Sequence, residues 1–583
     1  MKQGFKYNSS SFFLFSLVLV MAVYLPVNYL GFINFDDVDV VNRIHESFSN
    51  IPWYRLFVRS HTVQYYRPLL ELLCYLDYAL WGLSITAWHL TNYILHILNA
   101  LLVYQIAHNF LQSGNHDRIW ASFAMLLFAL NPMTCESVAW ISGRSDLAGS
   151  FFALIAVWGY CWKSKFRFIV VPAAILAGLL CKENALAVIP IIVLIAIVRN
   201  YQHKRPFREA VKQCLFWGMI VLIPLFIYIY LRTSGFEHYF YKSAKAGASL
   251  MKNTAGSIKQ STNMTIYEIR DFLYLFPVIA FYFKKLFIPF PLNFAIEQIN
   301  TVLYSFLFFI ISGINLVCAI RKRWTLPVFS LLLLLSFSPA LIVALDKVAW
   351  VPLAERYLYF SLSIMGISMA LFTRYFYENK FLSQKSLVVL CILIITLMSV
   401  TTFQREFAFK NSKAIWNATL KTNPDSSMVL CLYGQTVDKK EGKAAYQKAV
   451  SNPKPFKWRA KALINLAQYE MADGNYQKAL LHINNALVME GNYENYHNAA
   501  YILSTVQDQE QSVINHLRKK AIQCYKQAYS RKKTAFVLYR IATLLKLLRE
   551  NDEAMFFFNQ ILKNYPESKY AVYSKKQLKK KIQ

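Results

Sequence analysis

The stretch Ser11–Leu30, SFFLFSLVLVMAVYLPVNYL, carries no charge and runs directly into Gly31-Phe32-Ile33-Asn34-Phe35-Asp36-Asp37. Twenty apolar residues in an α-helix rise about 30 Å, the thickness of the hydrocarbon layer of a bilayer. Lys2 and Lys6 precede the run as in a signal peptide, but no small-x-small cleavage site follows it. The run therefore reads as an uncleaved first span, and the acid pair behind it as the start of a loop at the membrane surface.

Working outward, similar runs recur at 86–106, 119–133, 146–162, 168–181, 185–198, 213–231, 301–320, 326–345, 357–373 and 386–403, eleven with the first, and then stop. A chain of 583 residues that is 56% hydrophobic, 16% aromatic and only 16% charged lies outside the range of soluble domains. The expected fold is all-α: a polytopic membrane bundle over 1–403, with an outer loop at 32–85, followed by a separate helical domain over 404–583. Lys163, Lys165 and Arg167, then Lys204, Arg205, Arg208 and Lys212, then Arg321, Lys322 and Arg323, then Lys380 and Lys385 fall on alternate loops together with the N-terminus, which places that terminus in the cytoplasm. Counting the apolar stretch 266–292 as a span would reverse Arg321–Arg323. It is read instead as re-entrant or interfacial, its Lys284 and Lys285 lying at headgroup level before Pro289 and Pro291. An odd number of spans puts the C-terminal domain outside.

The formal net charge is +31, and from residue 404 onward 30 Lys and Arg face 14 Asp and Glu. No helix-turn-helix, zinc or RNA-binding signature accompanies this charge, so anionic membrane lipids, and not nucleic acid, are the partner it implies. Nine cysteines without Cys-x-x-Cys spacing argue against a metal ribbon or redox motif. Only Cys431 and Cys524 fall in the C-terminal region, where they can pair if the compartment oxidises.

That region has tetratricopeptide-type periodicity, repeats of about 34 residues with small side chains where two helices touch. Leu466, Ala467, Gly474, Tyr476, Ala479 and Ala486 mark one repeat. Ala542, Ala554, Phe558 and Pro566 mark another, and Ala521, Tyr525 and Ala528 a third with an insertion before it. Ile415–Pro424 with Met428–Gly434 reads as a degenerate leading unit.

The expected topology gathers Asp36, Asp37, Arg67, Glu136, Arg144, Asp146, Lys182, Glu183, Glu355 and Arg356 on the outer face, where basic residues are scarce and charge near lipid is costly. One reading is a site for a lipid phosphate, with arginine forks on phosphate oxygens and a carboxylate held as base. The other is a set of local ion pairs, Arg144 with Asp146, Lys182 with Glu183 and Arg356 with Glu355, that only tether helix ends.

The strings Tyr66-Arg67-Pro68-Leu69, His89-Leu90-Thr91-Asn92 with His96 and Asn99, Glu136 through Leu147 (ESVAWISGRSDL), Cys181-Lys182-Glu183 and Ala354-Glu355-Arg356-Tyr357-Leu358-Tyr359 favour the first. In order and spacing, and with the trailing repeats, they resemble the transmembrane and tetratricopeptide-repeat-containing O-mannosyltransferases and their bacterial relatives, along nearly the whole chain. That family is similar to the wider C-type membrane glycosyltransferases, which take sugar from a polyprenyl phosphate and carry an acidic motif in the first outer loop. The resemblance implies that Asp36 or Asp37 is the catalytic base, and leaves open which. It implies that Arg67, Glu136, Arg144, Asp146, Lys182, Glu355 and Arg356 line the donor site, with Arg144 and Arg356 preferred as ligands of the departing phosphate. It also implies a protein or glycan acceptor oriented by the repeats. No cofactor or metal is required, because side chains can neutralise a phosphate leaving group.

The chain departs from the family at Asn131-Pro132-Met133-Thr134, where the pattern is His-Pro-x-His. His89 and His96, seven apart on one helical face, read as packed, hydrogen-bonded residues. There is no Walker loop, His-Glu-x-x-His or Gly-x-Ser-x-Gly. The rival to a glycosyltransferase is a non-catalytic membrane scaffold whose repeats dock envelope proteins. A transporter would need ionisable groups at mid-span. The expected location is a bacterial inner membrane with periplasmic repeats, or an endoplasmic reticulum membrane with the repeats in the lumen.

Overall fold

The computed structural model describes residues 9–50, 52–57, 65–111, 117–246, 269–345, 351–380, 383–454, 456, 458–506 and 509–579. Their regular elements are helices, apart from a single bridge between Ile296 and Leu353. The chain divides into two compact units, Met1–Thr422 and Asn423–Gln583.

The first unit runs through α1 (Ser9–Val23), α2 (Asp37–Asn50), α3 (Pro68–Trp81), α4 (Ile85–Leu111), α5 (Asp117–Ala129), α6 (Thr134–Ala139), α7 (Arg144–Tyr160) and α8 (Arg167–Cys181). It continues with α9 (Val188–Gln202), α10 (Phe207–Ala246), α11 (Ile269–Phe287), α12 (Thr301–Ile320), α13 (Thr325–Ala344), α14 (Tyr359–Glu378), α15 (Gln384–Glu406) and α16 (Ser412–Thr422). Among the described residues seven segments are long and apolar enough to cross a membrane: Ser10–Tyr29, Ile85–Leu111, Glu183–Gln202, Phe207–Ser234, Thr301–Ile320, Thr325–Ala344 and Gln384–Phe409. This is a multi-pass membrane protein. The other four expected spans are helical as α5, α7, α8 and α14, but are shorter or less apolar than these seven.

The break between α5 and α7 organises the unit. Pro132 has no amide hydrogen and disfavours helix at Asn131, so α5 stops and the chain folds through short α6 and a tight turn at Ile141–Gly143. A Cβ at Gly143 would stand 2.6 Å from the Ser137 carbonyl oxygen, so that turn closes only on glycine. Helix breaks at membrane depth survive only where protein satisfies the freed backbone groups. A polar stripe on α4 does this: Asn92 Nδ2 donates to the Trp140 carbonyl (3.0 Å), His96 Nε2 meets the Ala129 carbonyl (3.2 Å) and Asn99 Nδ2 donates to the Leu147 carbonyl (3.0 Å). All three are buried. His96 is thus a packed, hydrogen-bonded residue, as its spacing suggests; His89 is buried on the same helix.

The boundary between units falls after Thr422 rather than at 403. Arg405 reaches back to Glu355 at 2.5 Å, and Trp416 Nε1 donates to Asn34 Oδ1 at 3.2 Å, so these residues belong with the first unit. Ile415–Thr422 accordingly does not lead the repeats. Of the stretch 266–292, residues 266–268 lie outside the described residues; the rest is α11 with an irregular tail. Lys285 is not at headgroup level. Its ammonium is buried against Glu355 at 2.6 Å, because the turn after α11 folds back to Asn293, whose N–H donates to the same carboxylate (2.9 Å).

The second unit is a run of helix pairs: α17 (Ser427–Gly434) with α18 (Lys439–Ser451), α19 (Arg459–Ala472) with α20 (Tyr476–Met489), α21 (Tyr493–Ser504) with α22 (Gln511–Arg531), and α23 (Ala535–Leu547) with α24 (Asn551–Asn564), closed by α25 (Lys569–Lys579). The first helices of the pairs and the closing helix begin at 427, 459, 493, 535 and 569, spacings of 32, 34, 42 and 34 residues, the longest where long α22 intervenes. Ala467, Ala479, Ala486, Ala521, Ala542 and Ala554 are buried where helices meet. Gly474, at φ +77°, ends α19 in the left-handed turn that glycine adopts without strain. All nine cysteines are free, so Cys431 and Cys524 are not paired.

Candidate functional site

The acid pair sits where the chain leaves α1 and enters α2. Asp37, the first residue of α2, is buried and fully engaged: the Ile33 N–H donates to Oδ2 (3.1 Å), while the Ser142 N–H (2.9 Å) and hydroxyl (2.7 Å) donate to Oδ1. It ties the loop to the turn after α6. Asp36 is only half buried, and among the described residues its carboxylate accepts no hydrogen bond. Burial pushes both carboxyls from their ordinary 3.8 to about 6; Arg356 and Arg43 oppose this at Asp36, and the Ser142 and Ile33 donors oppose it at Asp37. One acid is therefore a tether and the other is free to take a proton.

Aromatic side chains fix the strand of backbone that carries them. The Phe35 ring stacks 6.1 Å from Trp140 and meets Trp416 edge-on at 6.1 Å, while Phe294 packs at 5.3 Å and 5.5 Å on the same two indoles. The Arg356 guanidinium lies 4.9 Å from the Trp140 ring and 5.7 Å from Phe294. It pairs with Glu136 Oε1, and the Arg356 backbone N–H donates to Glu136 Oε2 at 3.2 Å. Beside it Lys182 pairs with Asp146 at 2.6 Å, its Nζ 5.7 Å from the Tyr357 ring, and Arg67 forks onto Glu183 at 2.6 and 3.0 Å. Burial and the neighbouring Arg67 charge bring Lys182 down from 10.5 to about 8, against the pull of Asp146. Asp146 acts on Arg67, Lys182 and Arg356, and Lys182 feels both arginines, so these residues with Glu136, Glu183 and Asp36 form one cluster.

None of the three expected neighbour pairs forms. Each charge reaches a partner on a distant element instead, because adjacent residues at a helix end point in different directions while the loops bring remote ones face to face. Two expected site residues take other partners. Arg144 is turned inward to Asp77 (2.7 Å), Asn92 Oδ1 (2.8 Å) and the Trp88 carbonyl (2.8 Å), 1% exposed. It locks α7 to α3 and α4. Glu355 faces Lys285 and Arg405. The sequence reading missed Asp77, Lys285 and Arg405. A lone carboxylate in the leucine-rich α3 was the available sign for the first. The two missing imidazoles concern a different place: Thr134 Oγ1 meets the Tyr24 hydroxyl at 2.6 Å and donates to the Asn131 carbonyl at 2.6 Å, all buried beside α1.

A multi-pass helical membrane protein with an acid pair beside a network of interlocked ion pairs is the class that fold and site define. Its homologues are protein O-mannosyl-transferases. The chain is 30% identical over 240 residues to Tmtc2 of Drosophila melanogaster (38% of this chain, 24% of that one) and 30% identical over 190 residues to TMTC3 of Mus musculus (30% and 20%). It is 26% identical over 416 residues to a protein O-mannosyl-transferase of Caenorhabditis elegans (68% and 55%). The matches thus span between 20% and 55% of these relatives' lengths. Among solved structures, an Archaeoglobus fulgidus oligosaccharyltransferase tethered to an acceptor peptide aligns with 93% of this chain and 71% of its own, at 13% identity and a TM-score of 0.41, too loose a likeness to carry an argument. No family profile matches the chain.

Proposed function

We propose that the chain is a membrane glycosyltransferase that moves a hexose, mannose in the first instance, from a polyprenyl phosphate to a hydroxyl of a protein acceptor at the outer face of the membrane, with Asp36 as base. The observation that carries this is the division of labour in the acid pair, one carboxylate saturated and the other unengaged beside a cluster of paired cations and carboxylates. The homology to protein O-mannosyl-transferases supports the choice of sugar and acceptor, and the helix pairs of the second unit, as a tetratricopeptide-type solenoid, would hold the acceptor.

In the reaction the acceptor oxygen attacks the anomeric carbon while its proton passes to Asp36. The bond from that carbon to the phosphate oxygen breaks, and polyprenyl phosphate leaves with one more negative charge. Arg67, Lys182 and Arg356 are the groups to receive it, but each already holds a carboxylate, so the three pairs are neutral as a set. Binding a phosphate requires one carboxylate to give way. Arg67–Glu183, with side chains 20% and 24% exposed, is the most open of the three and the cheapest to re-partner. Arg67 is accordingly assigned as the phosphate ligand, with Lys182 and Arg356 holding the walls.

The test is release of polyprenyl phosphate from a labelled polyprenyl-phosphate hexose by purified protein in detergent, with Asp36→Asn and Asp37→Asn made separately. Turnover lost in Asp36→Asn with no loss of thermal stability supports the assignment. No turnover by folded, unmodified protein with any hexose donor and acceptor mixture would leave the scaffold reading.

A further inference from the structure

In the second unit the N-terminal halves of α21, α23 and α25 carry six aromatic rings in one continuous strip. Tyr493 and His497 lie 5.6 Å apart, His497 and Phe536 5.6 Å, Phe536 and Tyr570 5.5 Å, Tyr570 and Tyr539 5.5 Å, and Tyr539 and Tyr573 6.0 Å. The helix pairs close through Ala499, Ala542 and Ala571, which are buried on these same three helices. Tyr493, Phe536, Tyr539 and Tyr570 press one side against that core and are half-buried, as is His497, while Tyr573 is 48% exposed. A contiguous, partly exposed aromatic strip of this kind is a candidate contact site.

Its electrostatics select the partner. Lys532 Nζ stands 5.3 Å from the Tyr493 ring and Lys569 Nζ 5.4 Å from Tyr570. The strip also lies on the positive ends of three helices. Glu490, Glu494 and Glu567, all exposed, are the acidic residues nearby in sequence, against Lys532, Lys533, Lys569, Lys575 and Lys576. Helix axes pack about 8–10 Å apart and an extended chain advances about 3.4 Å per residue, so three helices accommodate about six residues of strand.

We infer that this strip docks an extended acidic peptide segment bearing aromatic or apolar side chains, and so selects acceptor chains by composition. The inference rests on the reading that the acceptor is a protein. It is tested on the full chain in detergent, without sugar donor, by fluorescence anisotropy of a labelled ten-residue peptide of Glu, Asp, Phe and Tyr against the same peptide with Lys in place of the acids.

The acidic peptide should bind at least tenfold tighter, with an affinity that falls as salt rises. Lys532→Glu with Lys569→Glu should abolish that preference, and Tyr573→Ala should weaken binding several-fold at unchanged thermal unfolding. Failure of the acidic peptide to bind, equal binding of both peptides, or indifference to the double charge reversal overturns the inference. Selective binding by a protein that turns over no donor would instead retain the strip and remove the transferase reading.

Discussion

Arg144 and Asp77 in the membrane unit meet at 2.7 Å with side chains 1% and 7% exposed; Lys526 and Glu553 in the helix-pair unit meet at 2.9 Å with 47% and 45% exposed. Their lengths hardly differ, but their surroundings do. In water each ion is well solvated before the pair forms, and such pairs contribute about 0–1 kcal/mol. Inside the protein neither ion has that alternative, so losing one partner strands the other at about 3–5 kcal/mol, while losing both to apolar side chains costs little. Among its described residues the membrane unit carries seven such buried or half-buried pairs across separate elements: Arg67–Glu183, Arg144–Asp77, Lys182–Asp146, Lys285–Glu355, Arg356–Glu136, Arg374–Asp117 and Arg405–Glu355. They fix which loops meet. The helix-pair unit assigns that task to alanine contacts instead.

The largest effect expected from breaking this contrast is Arg144→Met, which leaves Asp77 unpaired and should lower stability in detergent by about 3–5 kcal/mol. Adding Asp77→Leu should recover most of the loss, as followed by denaturant unfolding. A double variant no more stable than the single one would mean that the pair is not what the site needs.

Next comes Asp36→Asn, expected to cut turnover by about 10²–10⁴-fold without lowering the unfolding midpoint. Asp37→Asn should instead shift unfolding, since it weakens the tether to Ser142. The pH profile sharpens the same distinction. A base whose folded value is raised to about 6 is protonated below it, so kcat/KM should fall on the acid side near pH 6 and not near 4. Stability carries the opposite sign: the folded state holds this proton more tightly than the unfolded chain, so its contribution is present below pH 3.8 and is lost as pH rises through 6.

Arg67→Ala should raise the donor KM more than it lowers kcat, because the half-exposed pair with Glu183 is open to exchange. The smallest effect belongs to Lys526→Ala, within about 1 kcal/mol in the same unfolding assay.

The sequence disclosed the long apolar spans, the acid pair after the first of them and the 34-residue spacing because these are local patterns. Partners were not legible: Arg356 is adjacent to Glu355 in the chain but pairs with Glu136, 220 residues away. Lys285 misled for a related reason. A lysine after an apolar helix ordinarily reaches for headgroups, and only the folded loop reveals a carboxylate within its span. Trp416 and Arg405 lay beyond the last apolar run, where no pattern ties a residue back to the membrane unit.

The loop that holds Asp36 is closed by residues made long after it. Asn34 N–H donates to the Ser412 hydroxyl across 378 positions of chain, and the Gly31 N–H to the carbonyl of Lys410. At about 5–20 residues per second of synthesis, roughly twenty seconds to more than a minute separate the two ends of that contact. A ribosome-bound chain therefore inserts its spans with the acid pair unclamped, and the centre is completed only as the last membrane helix emerges.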